Sequence, residues 1–213
     1  MQIVPTLLAE KMEDLYEQGQ VFRHLSKRTQ VDVADGILVP NKTVGLSTIL
    51  DYLIHNEEHY QDIVFDFHLM VQNWQQAVAQ LQQVRLHLNI NYILIHKAVF
   101  ERKNISPFKI GIVYNPEDFV TKGDITHLSA VQIMTIHPGK QGSPFLPETL
   151  DKINLLRQNG FAGEILMDGG INEETIPVIL KNISLPDTLC IGSYFTKTER
   201  PEEHLRKLKQ LIQ

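Results

Sequence analysis

Two aspartates carry the sharpest chemistry in this chain. Asp32 begins Asp32-Val33-Ala34-Asp35-Gly36 at the end of one apolar run, and Asp168 begins Asp168-Gly169-Gly170 at the end of another. If these runs are strands two and seven of an eight-stranded ring, the carboxylates stand three steps apart and face each other across its mouth. Carboxylates on opposite sides of a substrate suit removal of a proton from one face and its return to the other, which inverts a carbon centre. A divalent cation between them would stabilise an enediolate oxygen and keep both acids ionised at close range. His68, in Asp66-Phe67-His68-Leu69-Met70-Val71, is placed to add a neutral imidazole ligand. Glycines form the second group: Gly139, Gly142, Gly169, Gly170 and Gly192 follow the sixth, seventh and eighth runs. Backbone there approaches an anion closely and helix amino termini direct N–H groups at it, so phosphate is the expected ligand.

Other conspicuous residues read more simply. Asp35, beside Gly36, is a turn cap. Cys190 is a small buried apolar residue, and Trp74 a packing residue at a helix start. His24, His55, His59, His87, His127 and His204 fall outside the strand-end motifs and belong to solvated surface.

The elements that must position these groups alternate. Strand-forming runs occur at 2–6, 29–33, 62–68, 92–96, 109–114, 131–136, 164–167 and 188–191. Most are continuously apolar, as parallel strands covered on both faces should be. Amphipathic helical stretches at 74–84, 146–158 and 201–212 lie between or after them, the last opening with Pro201 and acids and closing with Lys and Arg. The connection 98–107 is too short for a long helix, so the fourth unit is compressed. Eight strands alternating with helices fit a barrel or a doubly wound sheet. No Gly-x-Gly-x-x-Gly follows the first strand, which leans the choice towards a compact (β/α)8 TIM barrel spanning residues 1–213 as one domain.

Composition narrows the function classes. The 213 residues are 43% hydrophobic and carry 20 Lys+Arg against 25 Asp+Glu, a formal charge of −5. That balance excludes a disordered chain and argues against a nucleic-acid partner, which would need a basic face. No apolar run reaches the ~18 residues of a membrane span. Glu10 and Lys11 interrupt the amino terminus too early for a secretory signal, and a lone Cys190 excludes an internal disulfide. The expectation is a cytoplasmic protein with neither membrane nor nucleic-acid partners.

The motifs together resemble the ribulose-phosphate 3-epimerase family across nearly the whole chain. Pro5-Thr6-Leu7-Leu8 is similar to its Pro-Ser-Ile-Leu, and Asp32-Val33-Ala34-Asp35-Gly36 with Val39-Pro40-Asn41 to its Asp-Val-Met-Asp-Gly and Val-Pro-Asn. Asp66 to Val71, Met134-Thr135-Ile136-His137-Pro138-Gly139 with Gly142 and Phe145, Asp168-Gly169-Gly170-Ile171, and Gly192-Ser193 complete the series in order. The resemblance implies a TIM barrel interconverting D-ribulose 5-phosphate and D-xylulose 5-phosphate in pentose-phosphate metabolism, through an enediolate. It implies Asp32 and Asp168 as acid, base and metal ligands, with His68 a further ligand. Thr6, Met70 and Met134 would border the substrate, and Gly142, Gly169, Gly170, Gly192 and Ser193 its phosphate. Homo-oligomerisation is also a family expectation, although no helix here marks an interface.

Departures from the pattern fall where they matter. The family's second metal-binding histidine lies two residues before its first aspartate, where this chain has Gln30. Ala34 replaces a methionine, and His96-Lys97-Ala98 lacks the acid of the family's His-x-Glu. An amide oxygen suits harder cations, so a site with Gln30 as candidate fourth ligand should be weaker for Zn²⁺ and relatively better for Mn²⁺ or Mg²⁺ than the family's, with Mn²⁺, Mg²⁺, Fe²⁺ and Zn²⁺ all candidate ions. Loss of the metal is the opposite outcome at Gln30. Two further functions stay open: a 3-epimerase for a ketohexose 6-phosphate, since Ala34 enlarges the pocket, and a non-catalytic sugar-phosphate binder. Decarboxylases on related barrels need Asp-x-Lys-x-x-Asp, which the Asp32-Val33-Ala34-Asp35 sequence lacks.

Overall fold

Eight parallel strands close on themselves in the computed structural model, which describes residues 1–101, 107–123, 125, 127–138 and 143–213. They are β1 (Gln2–Leu7), β2 (Arg28–Ala34), β3 (Val64–Met70), β4 (Asn89–His96), β5 (Lys109–Tyr114), β6 (Ala130–Met134), β7 (Glu164–Asp168) and β8 (Thr188–Ile191). Each pairs with its neighbours in chain order and β8 returns to β1, so the ring has no free edge. The doubly wound sheet is thereby excluded. Outside the ring lie α1 (Met12–Leu25), α2 (Leu46–His55), α3 (Glu57–Tyr60), α4 (Trp74–Val84), α5 (Asp151–Gln158), α6 (Ile176–Ile179), α7 (Ser193–Thr196) and α8 (Pro201–Leu211).

Because successive strand residues point to opposite faces, the closed ring has two cores. Residues such as Val31, Val33, Phe65, Phe67, Ile93, Ile95 and Ile133 face outward against the helices in one large cluster. The alternate set fills the interior with Tyr92, Leu94, Val113, Ala130, Met134, Leu166 and Cys190. This double burial explains the continuous apolar runs. The helices follow ordinary end rules: Asn73 Oδ1 accepts the Gln76 N–H at 3.2 Å to start α4, and α8 begins with Pro201 and the acids Glu202 and Glu203. The expected helix at 146–158 is a 3₁₀ turn over Pro147–Leu150 running into α5.

The strand at 131–136 ends at Met134, two residues early. Its partner β7 ends at Asp168, where Thr135 closes the ladder: its N–H and hydroxyl both donate to the Asp168 carbonyl, at 2.7 and 3.0 Å. The fourth connection is compressed as expected, and the fifth, between Tyr114 and Ala130, likewise shows no helix among the described residues.

Candidate active site

The polar groups of the interior converge at the carboxyl-terminal end of the barrel. Register sets them there: Thr6 lies beside Gln30, Asp32 beside His68, and Met134 beside Asp168. Spacing of two along β2 and β6 sends Gln30 and Asp32, and Gln132 and Met134, to the same inner face. Gln30, His68 and Gln132 are fully buried, whereas Asp32 and Asp168 keep 6% and 8% exposure and look onto the mouth.

One ligand atom each from Asp32, His68 and Asp168 lies within 4.8 Å of the others. His68 Nδ1 is 3.1 Å from Asp32 Oδ1 and 3.6 Å from Asp168 Oδ2. The Gln30 amide bridges the acids, its Nε2 donating to Asp32 Oδ1 at 3.0 Å and to Asp168 Oδ2 at 2.7 Å. The Gln132 amide donates to the same Asp168 oxygen at 3.0 Å and lies 3.3 Å from His68 Nδ1. Behind His68 stacks His96, with ring centroids 5.0 Å apart and the two Nε2 atoms 2.9 Å apart.

The electrostatics follow from burial opposed by charge. Burial, then the Asp32 charge, pushes Asp168 up to about 7, against His68 and the Gln30 N–H, so this carboxyl holds a proton near neutral pH. Burial would strip His68 of its second proton, but the Asp32 and Asp168 carboxylates outweigh it and raise the ring above its ordinary value. His96 is lowered to about 3 by burial and by the neighbouring His68, with Asn115 opposing. One Nε2 of the imidazole pair donates to the other, and the acids, by favouring protonated His68, favour His68 Nε2–H as the donor. Nδ1 of His68 faces the acids and is the ring atom able to ligate once it gives up its proton.

The residues fit a divalent cation. Three buried ligands of the right types converge, and the Oε1 atoms of Gln30 and Gln132 are buried without a hydrogen-bond partner, available as neutral oxygen donors if the amides turn.

Beside this cluster a cavity of about 120 Å³ is lined by Thr6, Asp32, Asp168, Gly169, Gly170, Gly192 and Ser193, among others. Gly169 and Gly170 have φ of 114° and 66°, and a Cβ on Gly169 would stand 2.5 Å from Ile136 Cγ1. Only glycine allows that backbone. Thr6 Oγ1 is buried without a partner at the cavity wall. Met70, with Ala34 and Val39, forms a small cluster at the β2–β3 end. Gly139 and Gly142 lie outside the described residues.

A protein-family model described as the ribulose-phosphate 3 epimerase family matches residues 2–195. The chain belongs to that family. Relatives include the ribulose-phosphate 3-epimerase of Schizosaccharomyces pombe, 26% identical over 99% of this chain and 93% of that one. The Mycobacterium leprae ribulose-phosphate 3-epimerase is 30% identical over 82% of this chain and 79% of its own. Among solved structures, a KGPDC from Streptococcus mutans in complex with D-R5P superposes with a TM-score of 0.70 over 99% of this chain and 96% of that one. At 12% identity it speaks for the fold alone.

This member of the epimerase family is an enzyme of the isomerase class. Its sequence placed Asp32, His68, Asp168 and Gln30 at strand ends or near them, and all four meet. Sequence reasoning gave Gln132 no place in the site and noted His96 only in the His96-Lys97-Ala98 comparison, without a role. The available signal was polar residues in or ending otherwise apolar strands, Val131-Gln132-Ile133 and Leu94-Ile95-His96. Asp35 behaves as a cap, accepting N–H bonds from Ile37, Leu38 and Gln72 at 2.7–3.0 Å. Trp74 is buried and donates to the Val99 carbonyl, and Cys190 is buried and free. Of the seven remaining histidines six are exposed, and His204 is half-buried against Tyr194.

Proposed function

We propose that this enzyme inverts C3 of a ketose phosphate, interconverting D-ribulose 5-phosphate and D-xylulose 5-phosphate as part of pentose-phosphate metabolism in the cytoplasm. The observation that carries the reading is the convergence of Asp32 and Asp168 beside a glycine-lined cavity at the barrel mouth. Asp32 takes the C3 proton from one face. The electron pair of that C–H bond moves into the C2–C3 bond and the carbonyl becomes an enediolate oxygen. Asp168, whose carboxyl is pushed up to about 7 by burial and the Asp32 charge in the metal-free site, is placed to deliver a proton to the opposite face of C3. Return in the other direction exchanges the two roles.

A divalent cation, held by Asp32, His68, Asp168 and the Gln30 amide oxygen, would stabilise the enediolate charge. The oxygen-rich set is weaker for Zn²⁺ and relatively better for Mn²⁺ or Mg²⁺ than a site with a second histidine. Thr6, Met70 and Met134 border the sugar, and the phosphate rests on backbone at Gly169, Gly170, Gly192 and Ser193. No helix among the described residues is long and apolar enough to cross a membrane.

The test is conversion of D-ribulose 5-phosphate followed by NMR with Mn²⁺ present, in wild type and in Asp32→Asn and Asp168→Asn. Each substitution should lower turnover by roughly 10²–10⁴-fold. A ketohexose 6-phosphate offered in parallel reads the substrate class. Ala34 is 4% exposed and covered by Val39 and Met70, which supports the pentose. Turnover untouched in both variants would refute the acid/base assignment, and phosphosugar binding without turnover would favour a non-catalytic binder.

A further inference from the structure

We infer that Gln132 is a ligand of the divalent cation at this site, acting with Gln30 as a pair of amides that turn their carbonyl oxygens inward when the ion binds. The inference rests on the metal-assisted reading above and extends its ligand set by a residue on β6. Three observations support it.

The first is position. The Gln132 amide end stands 3.0 Å from Asp168 Oδ2 and 3.3 Å from His68 Nδ1, two of the three ligand atoms. The Gln30 amide end stands 3.0 and 2.7 Å from Asp32 Oδ1 and Asp168 Oδ2. Neighbouring donors on a six-coordinate ion with bonds of about 2.1 Å lie about 3.0 Å apart. Both amide ends already hold that spacing.

The second is pairing. Both Oε1 atoms are buried with no partner, while both Nε2 atoms donate to carboxylates. An amide carries its nitrogen and oxygen at nearly interchangeable places, so half a turn swaps them without moving the chain. Either orientation leaves one end of each amide unpaired in this interior, so burial does not choose between them. Charge does. Without a cation, the acid oxygens take the amide N–H donors; with one, their charge is compensated and the carbonyl oxygens become the favourable inward groups.

The third is number. Asp32, His68, Asp168, Gln30 and Gln132 make five donors, four of them oxygen. That exceeds the four of a tetrahedral zinc site and suits a hard, six-coordinate ion with one position for a substrate oxygen. The amide–carboxylate bonds of the metal-free state must break on loading, so affinity should be moderate.

The experiment titrates metal-stripped protein with Mn²⁺ and with Zn²⁺ by calorimetry, without substrate, in wild type, Gln132→Leu and Gln132→Glu. Leucine should weaken Mn²⁺ binding about tenfold or more while changing Zn²⁺ binding less, so that the preference for Mn²⁺ falls. Glutamate, which restores an oxygen donor, should bind Mn²⁺ at least as tightly as wild type. Circular dichroism of each variant checks the fold. Mn²⁺ binding by Gln132→Leu that equals or exceeds wild type would overturn the inference and leave the epimerase reading standing. No divalent binding by wild type would overturn the inference together with the metal-assisted part of that reading. Turnover, measured separately, reports on the two aspartates.

Discussion

At the scale of single residues, the site is organised by what each buried group can donate or accept. His68 illustrates this. Its Nδ1 faces Asp32 and Asp168, and its Nε2 meets a ring that burial keeps neutral. His96 therefore acts through His68, as a positioning residue that fixes tautomer and ring plane. His96→Leu should lower Mn²⁺ affinity roughly 10–100-fold, read by calorimetry, with the far-ultraviolet spectrum retained. His96→Gln, which can still accept through its amide oxygen, should recover part of the loss. The two aspartates and His68 were legible because their types stand out at strand ends. Gln132 was not, because the interior of a parallel strand buried on both sides gives little cue to which face a polar residue takes, and His96, visible at the end of β4, carried no sign of its contact with His68.

At the scale of elements, the strand phase decides everything the site contains. The eight strands were legible as apolar runs, with their ends shifted at several of them. β6 stops where its partner β7 ends, with Thr135 bonded to the Asp168 carbonyl, and β4 begins at Asn89, ahead of its apolar run, in polar residues of which Asn91 donates to Asp66 Oδ1 at 3.0 Å. The four-residue helices α3, α6 and α7 were not legible, since one turn shows no periodicity. The turn after β7 depends on glycine. Gly169 has a φ of 114°, and a Cβ there would overlap Ile136. Gly169→Ala should cost at least about 2 kcal/mol in urea unfolding, through backbone strain and the collision together. The same substitution should weaken binding of inorganic phosphate if this turn forms the anion cradle. Gly160→Ala, also at positive φ but with open space around its Cβ, should cost less.

At the scale of the whole molecule, the barrel separates a structural end from the end that carries the candidate site. Near the amino-terminal strand ends, Arg28 holds Asp66 at 2.6 Å and Glu164 at 2.7 Å, and Gln2 adds a further acceptor. Asp66 is fully buried and burial raises its pKa despite Arg28, whereas Glu164 is held below its ordinary value by Arg28 and Thr188 against burial. Arg28→Met would leave Asp66 without its charge partner and should destabilise the protein by about 3–5 kcal/mol, measured by urea unfolding at neutral pH. The double variant Arg28→Met, Asp66→Leu should recover much of that loss. The acidic balance of the sequence fits this division: carboxylates serve as structural ion pairs at one end and as candidate acid, base and ligands at the other.

The central claim is that Asp32 and Asp168 move a proton on and off one carbon from opposite faces. Wild-type protein loaded with Mn²⁺ in D₂O should place solvent deuterium at C3 of D-ribulose 5-phosphate and form D-xylulose 5-phosphate carrying it, with Asp168→Asn abolishing the product. Xylulose 5-phosphate formed without deuterium at C3, or with undiminished yield in Asp168→Asn, would contradict the account.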